Sequence, residues 1–117
     1  MGVFSTAQER LESIYGKMQR WDSGNGVRCT NDVKGHVTLY SKNLASGNLA
    51  ELAFEINGLA ARAGRTTTEA KAFLESLRCA TGQPVNIDPR HKWPRVGFAK
   101  QEHVDLVISA LAEYFPE

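Results

Sequence analysis

The sequence has no excess of either charge and no long apolar run, and each absence excludes a class of protein. Lysine and arginine number 14 and aspartate and glutamate 13, which gives a net charge of +1. Such a balance provides no long-range field to attract nucleic acid or an anionic membrane. No stretch approaches the roughly 20 apolar residues of a membrane span, and no basic segment followed by an apolar run marks a signal peptide. We therefore expect a cytoplasmic protein that does not contact membranes.

Cysteine is scarce, and its spacing excludes the sites that cysteine commonly builds. Cys29 and Cys79 are the two cysteines of the chain, and they are too far apart in sequence for a zinc-type pair. The chain also lacks two histidines four residues apart with a glutamate between them. We therefore predict buried, reduced thiols in a reducing cytosol, with no metal and no cofactor.

The composition is that of an ordinary folded domain. Hydrophobic residues make up 42% of the 117 residues, charged residues 23% and aromatic residues 9%, which are close to the averages for globular proteins. A chain of this length hides about two-thirds of its unfolded surface, which is enough for one core without disulfides. The whole of 1–117 is therefore predicted to be a single domain.

Hydrophobic periodicity predicts four helices and four strands. A capping box formed by Thr6 and Glu9 precedes helix one, and a second box, Thr66 with Glu69, precedes helix three. Apolar residues at every third or fourth position define the helices, and alternation at every second position defines the strands. In chain order the predicted elements are helix 7–20, strands 27–31 and 36–41, helices 49–63 and 67–81, strands 85–88 and 95–99, and helix 104–115.

This order, α-β-β-α-α-β-β-α, predicts an α+β fold. The second half repeats the first at the level of elements, which suggests an internal repeat. If the two predicted hairpins pair, they form one antiparallel four-stranded sheet with the helices packed on one face. The other face is then left for a partner or for solvent.

The predicted second helix carries more apolar surface than one core-facing stripe needs. Phe54 lies off the stripe that includes Leu52, Ile56 and Leu59. A second apolar side of this kind is commonly buried in a partner, and for a small chain the partner is often a second copy. The sequence therefore predicts a homodimer.

The loop of the second predicted hairpin holds the densest group of side chains suited to binding. Trp93 is surrounded by Arg90, His91, Lys92 and Arg95. An exposed indole can stack on a ligand while the cations bind phosphates or carboxylates. The alternative is that Trp93 folds back over the end of the core and the charges are only solvated. We take these five residues as the predicted site for a small anionic ligand or a protein partner.

Two other functions fit the sequence less well. A small enzyme would use His36 or His91 as its acid–base group. Its partner would be one of the following residues: Asp32, Asp88 or Tyr40. Weak nucleic-acid binding through the two basic hairpin turns is disfavoured, because the total charge is nearly neutral and no nucleic-acid-binding motif is present. The sequence therefore predicts a non-catalytic binding or protein-interaction domain.

Overall fold

The structure, a computed structural model, describes residues 2–20, 24–31, 35–85 and 93–116. Within these ranges the chain forms four helices and a five-stranded antiparallel sheet, so the predicted α+β class is confirmed. The elements are α1 (Val3–Tyr15), β1 (Gln19–Arg20), β2 (Gly26–Asn31), β3 (Gly35–Tyr40), β4 (Ala50–Phe54), α2 (Ile56–Ala63), α3 (Thr67–Thr81), β5 (Arg95–Phe98) and α4 (Gln101–Tyr114). No helix in the described ranges is both long and apolar enough to cross a membrane.

The strands lie in the sheet in their chain order, β1-β2-β3-β4-β5, and every neighbouring pair is antiparallel. Helices α2 and α3 lie between β4 and β5 in the sequence. β1 has two residues whereas β2 has six, so β2 extends past its neighbour at this edge. Very short edge strands of this kind limit unwanted pairing with other chains.

One face of the sheet shares the hydrophobic core with all four helices. The strand residues on this face recur at every second position, as Val37 and Leu39 do in β3, because successive side chains of a strand point to opposite faces. Leu11 of α1, Leu74 of α3 and Leu111 of α4 are buried against them. The helices therefore pack on one face, as predicted.

The first predicted hairpin is confirmed by the pairing of β2 with β3. In β2, Val27 and Cys29 are buried while Arg28 and Thr30 are exposed, which matches the predicted alternation. The residues of the turn between these strands, 32–34, lie outside the described ranges. The period of two was therefore a sufficient signal for this half-buried strand.

Helix α3 begins at its predicted capping box. The Thr66 hydroxyl accepts a hydrogen bond from the Glu69 N–H at 3.1 Å, and the Glu69 carboxylate accepts one from the Thr66 N–H at 3.1 Å. Gly82 follows the helix in the left-handed conformation, with φ at 66°, and ends it as predicted. Helix α4 also forms over the predicted region, although it begins three residues earlier, at Gln101.

The prediction of a helix over 49–63 is wrong in its first half. Residues Ala50–Phe54 form β4, and the helix is confined to Ile56–Ala63, with Glu55 as its N-cap. All five residues of β4 are buried, because the strand lies between two others and both of its faces are covered. A strand buried on both faces has no alternation and resembles a buried helix in sequence. With β1 also unpredicted, the sheet has five strands rather than four.

The second strand of the second predicted hairpin pairs with a strand that the sequence did not predict. β5 pairs with β4, where Val96 lies opposite Leu52. Val85 is not in a strand, and the rest of the predicted strand 85–88 lies outside the described residues. Four strands precede α2 and one follows α3 in the part of the chain that is described. The two halves therefore do not show the repeated order of elements that the sequence suggested.

Helix α1 begins and ends earlier than the predicted 7–20. It starts at Val3 with Gly2 as the N-cap, so Thr6 lies within the helix and its N–H donates to the Gly2 carbonyl at 3.0 Å. It ends at Tyr15, because Gly16 adopts a φ of 100° that favours glycine. Residues at the end of the predicted helix instead form β1.

Over β3, β4 and β5 the sheet face opposite the helices is covered by the chain's own connections, whereas Arg28 and Thr30 of β2 are exposed on it. Thr38 and Tyr40 on this face are 3% and 5% exposed. Asn48, from the connection between β3 and β4, lies against Gly97 of β5 and donates to the Pro84 carbonyl at 2.7 Å. An open sheet face and a doubly apolar helix were the reasons for predicting a homodimer. Phe54 lies in a buried strand instead, and the part of the face left open at β2 carries the polar residues Arg28 and Thr30. The homodimer stays a prediction without that support.

Replacing Phe54 with alanine tests the assignment of this residue to the core. Its side chain is fully buried in β4, and deleting a buried phenyl ring costs about 3 to 5 kcal/mol. We expect Phe54→Ala to lower the free energy of unfolding, measured by urea denaturation, by that amount. Leu49→Ala is the matched control, because Leu49 is 55% exposed and should change it by about 0.5 kcal/mol or less. Similar small effects of both changes would contradict the position of β4.

Candidate functional site

The predicted binding loop is only partly described. Arg90, His91 and Lys92 lie outside the described residues, whereas Trp93 is 37% exposed just before β5. Arg95 lies in β5 and is 3% exposed. It is therefore an internal residue rather than the solvated cation that we expected. The assignment of a ligand to this loop stays a prediction.

Arg95 forms a buried ion pair with Glu51 of the neighbouring strand β4. The distance between Arg95 Nη1 and Glu51 Oε1 is 3.1 Å, and the two side chains are 4% and 0% exposed. Glu51 Oε2 also accepts hydrogen bonds from the Ala45 N–H at 2.6 Å and from Asn48 Nδ2 at 2.9 Å. A buried charge is tolerated when it has both an opposite charge and further hydrogen bonds, and Glu51 has both.

This pair is part of a larger group of contacts, which we call the buried ion-pair cluster: Tyr40, Asn48, Glu51 and Arg95. The Arg95 guanidinium lies 3.8 Å from the centre of the Tyr40 ring, a cation–π contact. Asn48 Oδ1 accepts a hydrogen bond from Gln83 Nε2 at 2.9 Å. The cluster therefore fixes the β3–β4 connection and the start of the α3–β5 connection to the sheet, and we assign it a structural role.

The residues named for an acid–base enzyme are not brought together in the described part of the chain. His36 and Tyr40 lie on the same face of β3 but four residues apart, which is about 13 Å along a strand. Asp32, Asp88 and His91 lie outside the described residues. A direct hydrogen bond between the His36 and Tyr40 side chains is therefore excluded by the length of the strand between them.

An open groove of about 390 Å³ lies between α1 and the start of β2, and we call it the α1–β2 groove. Phe4 and Gln8 of α1, Met18 from the segment after α1, Val27 of β2 and Ser41 line it. Met18 and Val27 are buried, so the surface that faces the groove is mostly polar. Its volume lies at the lower end of the range of small-molecule sites, roughly 300 to 1,000 Å³. The groove is thus large enough for a small molecule.

Gly26 lines the groove at a point where β2 lies very close to β3. A Cβ atom at this position would overlap the carbonyl oxygen of Leu39 in β3, so only glycine permits the approach of the two strands here. The Asn25 carbonyl accepts the N–H groups of Ser41 at 2.7 Å and Lys42 at 3.3 Å. These bonds hold the beginning of the β3–β4 connection beside the groove.

Arg20 and Lys42 line the same groove and give it positive charge. Both residues are exposed, and neither forms an ion pair within the described ranges. Among the described residues, no carboxylate lines the groove. Other cations are neutralised locally by ion pairs with carboxylates: Arg10, Arg65, Arg78, Arg95 and Lys100.

Lys17 adds a third cation without an ion pair among the described residues at the same edge of the sheet. It lines a smaller groove of about 280 Å³, between the end of α1 and the exposed Thr30 of β2. Among the described residues, three cations without an ion pair therefore lie near β1, although the net charge of the chain is only +1. A local patch of this kind can attract an anion at short range even when the whole protein is nearly neutral.

His103, in the first turn of α4, is a buried residue with a structural hydrogen bond. It is 5% exposed, and its Nδ1 accepts the Ala99 N–H at 2.9 Å. This bond requires an unprotonated Nδ1. Burial, followed by the positive charge of Lys100, holds the pKa of His103 below its ordinary value.

The cysteines differ from each other in their surroundings. Cys29 is buried in β2 as predicted, and its thiol donates to the Tyr15 carbonyl at 3.3 Å. Cys79 is exposed on α3, so the prediction that it is buried is wrong. Neither cysteine forms a disulfide. Within the described ranges, no three His, Cys, Asp or Glu side chains are grouped closely enough to hold a metal ion.

Comparison with known proteins adds no information on function. The chain matches no protein-family model, and no curated protein and no solved structure is significantly similar to it. The arrangement of side chains is therefore the basis for assigning a function.

Changing Glu51 to glutamine tests the buried ion-pair cluster. The variant keeps the shape of the side chain but leaves the Arg95 charge without its partner, and removing one member of a buried pair costs about 3 to 5 kcal/mol. We expect that loss in the free energy of unfolding measured by urea denaturation. Glu75→Gln is the control, because Glu75 pairs with Arg78 at the surface, where a pair contributes about 1 kcal/mol or less. Equal, small losses would show that the Glu51 carboxylate is not needed.

The lowered pKa of His103 predicts a loss of stability in acid. Because the folded protein binds this proton less readily than the unfolded chain, the stabilisation is complete above the unfolded value of about 6.5 and decreases as the pH falls through it. We expect the free energy of unfolding of wild type to fall more steeply between about pH 7 and 5 than that of His103→Gln. His36→Gln, measured in the same way, controls for the loss of any histidine. A His103→Gln profile parallel to that of wild type would refute the assignment.

Proposed function

We propose that this protein is a small non-catalytic binding domain that takes an anionic ligand in the α1–β2 groove. The observation that carries the proposal is the pairing of a cavity of about 390 Å³ with two cations, Arg20 and Lys42, that have no ion-pair partner among the described residues. Cations left without a carboxylate beside a concave surface are suited to bind an external anion.

The buried ion-pair cluster does not offer a general base. Its carboxylate, Glu51, already accepts hydrogen bonds from Ala45 and Asn48 and is paired with Arg95. A general base must be able to reach the proton of a substrate. The Glu51 side chain is fully buried, so a substrate could reach it only if these contacts were broken.

Two finer features of the proposal come from the sequence. A cytoplasmic location is supported by the two free cysteines, which form no disulfide. A homodimer would have to use exposed apolar side chains, of which Leu49 and Leu106 are the largest described examples besides Trp93. Both features stay predictions.

Thermal unfolding in phosphate tests the anion site. At about 50 mM phosphate, a site with a dissociation constant of about 1 mM stabilises the folded protein by about 2 kcal/mol. We expect sodium phosphate to raise the melting temperature of wild type more than sodium chloride of equal ionic strength does. The double variant Arg20→Gln with Lys42→Gln should lose this excess.

Lys71→Gln is the matched control, because Lys71 is an exposed cation of α3 without an ion pair among the described residues and lies outside the groove. It should retain the excess stabilisation by phosphate. Phosphate also stabilises proteins in general by exclusion from their surface. An equal increase in melting temperature for all three proteins would mean that this general effect is the whole effect, and the proposal would be wrong.

A further inference from the structure

We propose that the ligand of the α1–β2 groove is a phosphorylated polyol, a phosphate ester of a small molecule that carries several hydroxyl groups. This inference rests on the proposed function and adds the chemical class of the ligand. In this assignment the phosphate lies between Arg20 and Lys42, and the hydroxyl groups form hydrogen bonds with Gln8 and Ser41.

The surface of the groove favours a polar ligand. Of the three apolar residues that line it, Met18 and Val27 are 4% and 7% exposed and Phe4 is half-buried, so little apolar area faces a ligand. A Cβ atom at Gly24 would meet nothing within 4 Å, so a ligand can approach the backbone there. A molecule in this groove therefore meets mainly polar groups, with which hydroxyl groups can form hydrogen bonds.

Gln8 supplies a hydrogen-bonding group that the described part of the protein leaves unused. It is half-buried on α1 and lines the groove. Within the described ranges its side-chain amide forms no hydrogen bond. This amide has two N–H donors and a carbonyl acceptor, and the hydroxyl groups of a polyol both donate and accept. A polyol can therefore pair with both ends of the amide, whereas inorganic phosphate offers mainly acceptors.

Ser41 and Lys42 are adjacent in the chain, so a hydroxyl group and a cation are held to the same point of the groove. The Ser41 hydroxyl donates to the Asn25 carbonyl at 3.2 Å, and its oxygen can still accept a hydrogen bond from a ligand. The backbone N–H groups of both residues donate to the same carbonyl. The polar group is therefore fixed in position beside the charge.

Two cations match a phosphate better than a singly charged acid. Arg20 of β1 lies opposite Val27 of β2, so the two side chains share one sheet face. Neither Arg20 nor Lys42 forms an ion pair among the described residues, and no carboxylate in these ranges lines the groove. A phosphate ester carries about 1.5 to 2 negative charges at neutral pH and has three acceptor oxygens, whereas a carboxylate carries one charge.

Isothermal titration calorimetry with four small molecules tests the ligand class. The probes are glycerol phosphate, inorganic phosphate, glycerate and glycerol. Glycerol phosphate should bind at least about tenfold more tightly than inorganic phosphate, because each added hydrogen bond strengthens binding about fivefold. Glycerate should bind at least about fivefold more weakly than glycerol phosphate because it has a single charge, and glycerol should bind more weakly still. Equal affinity for the two phosphates would overturn the polyol, and equal affinity for glycerol phosphate and glycerate would overturn the phosphate.

Two substitutions of the same chemistry locate the hydroxyl groups. Gln8→Leu removes the amide and should weaken glycerol phosphate binding about fivefold while the affinity for inorganic phosphate stays within about twofold of wild type. Gln19→Leu is the matched control, because Gln19 is exposed, lies opposite Arg28 on the other sheet face and does not line the groove. It should leave both affinities within about twofold of wild type. Equal losses in the two variants would refute this position of the polyol.

The results also separate this inference from the proposed function. Phosphate stabilisation that depends on Arg20 and Lys42, together with equal affinity for glycerol phosphate and inorganic phosphate, would overturn the polyol and leave the anion site in place. Glycerol phosphate binding that is unchanged in the Arg20→Gln, Lys42→Gln variant would instead show a site that does not use these cations. That result would contradict both proposals.

Discussion

The structure on the sheet face opposite the helices depends on one constraint, the buried carboxylate of Glu51. Its charge lies between strands and away from water, so it requires the Arg95 guanidinium and the donors supplied by Ala45 and Asn48. Meeting this requirement draws the β3–β4 connection over the sheet, and Asn48 then holds the segment at Pro84. A single polar residue in β4 thereby fixes two connections that have no regular secondary structure.

The α1–β2 groove depends on the same connection. The β3–β4 connection begins where Ser41 and Lys42 donate hydrogen bonds to the Asn25 carbonyl. Further along, the Ala45 N–H donates to the Glu51 carboxylate. Because both points are fixed, Lys42 is kept beside the groove. The positive charge of the groove therefore arises from chain geometry, and net charge gives no indication of it.

Local signals in the sequence predicted one helix start and missed another. Thr6 and Glu9 have the spacing of a capping box, but Thr6 lies inside α1, whose N-cap is Gly2. Thr66 and Glu69 form the predicted capping box because both partners lie within one helical turn. Asn48 and Glu51 have the same spacing and do form a hydrogen bond, but in a connection and a strand rather than at a helix start. Residues 50–54 form a strand because they pair with β3 and β5, and β5 is distant in sequence. The groove was missed for the same reason, since its residues come from four separate segments and carry no motif.

The central claim is that an anion binds between α1 and β2, and amide chemical shifts of the labelled protein during titration with sodium phosphate, with sodium chloride of equal ionic strength as the control, test it most directly. If the anion binds there, the largest shifts occur at the backbone amides of residues that line the groove: Gly24, Gly26, Ser41 and Lys42. The indole N–H of Trp93 should be unaffected. Shifts concentrated at Trp93, with the groove amides unchanged, would contradict the account and place the ligand at the loop that the sequence first indicated.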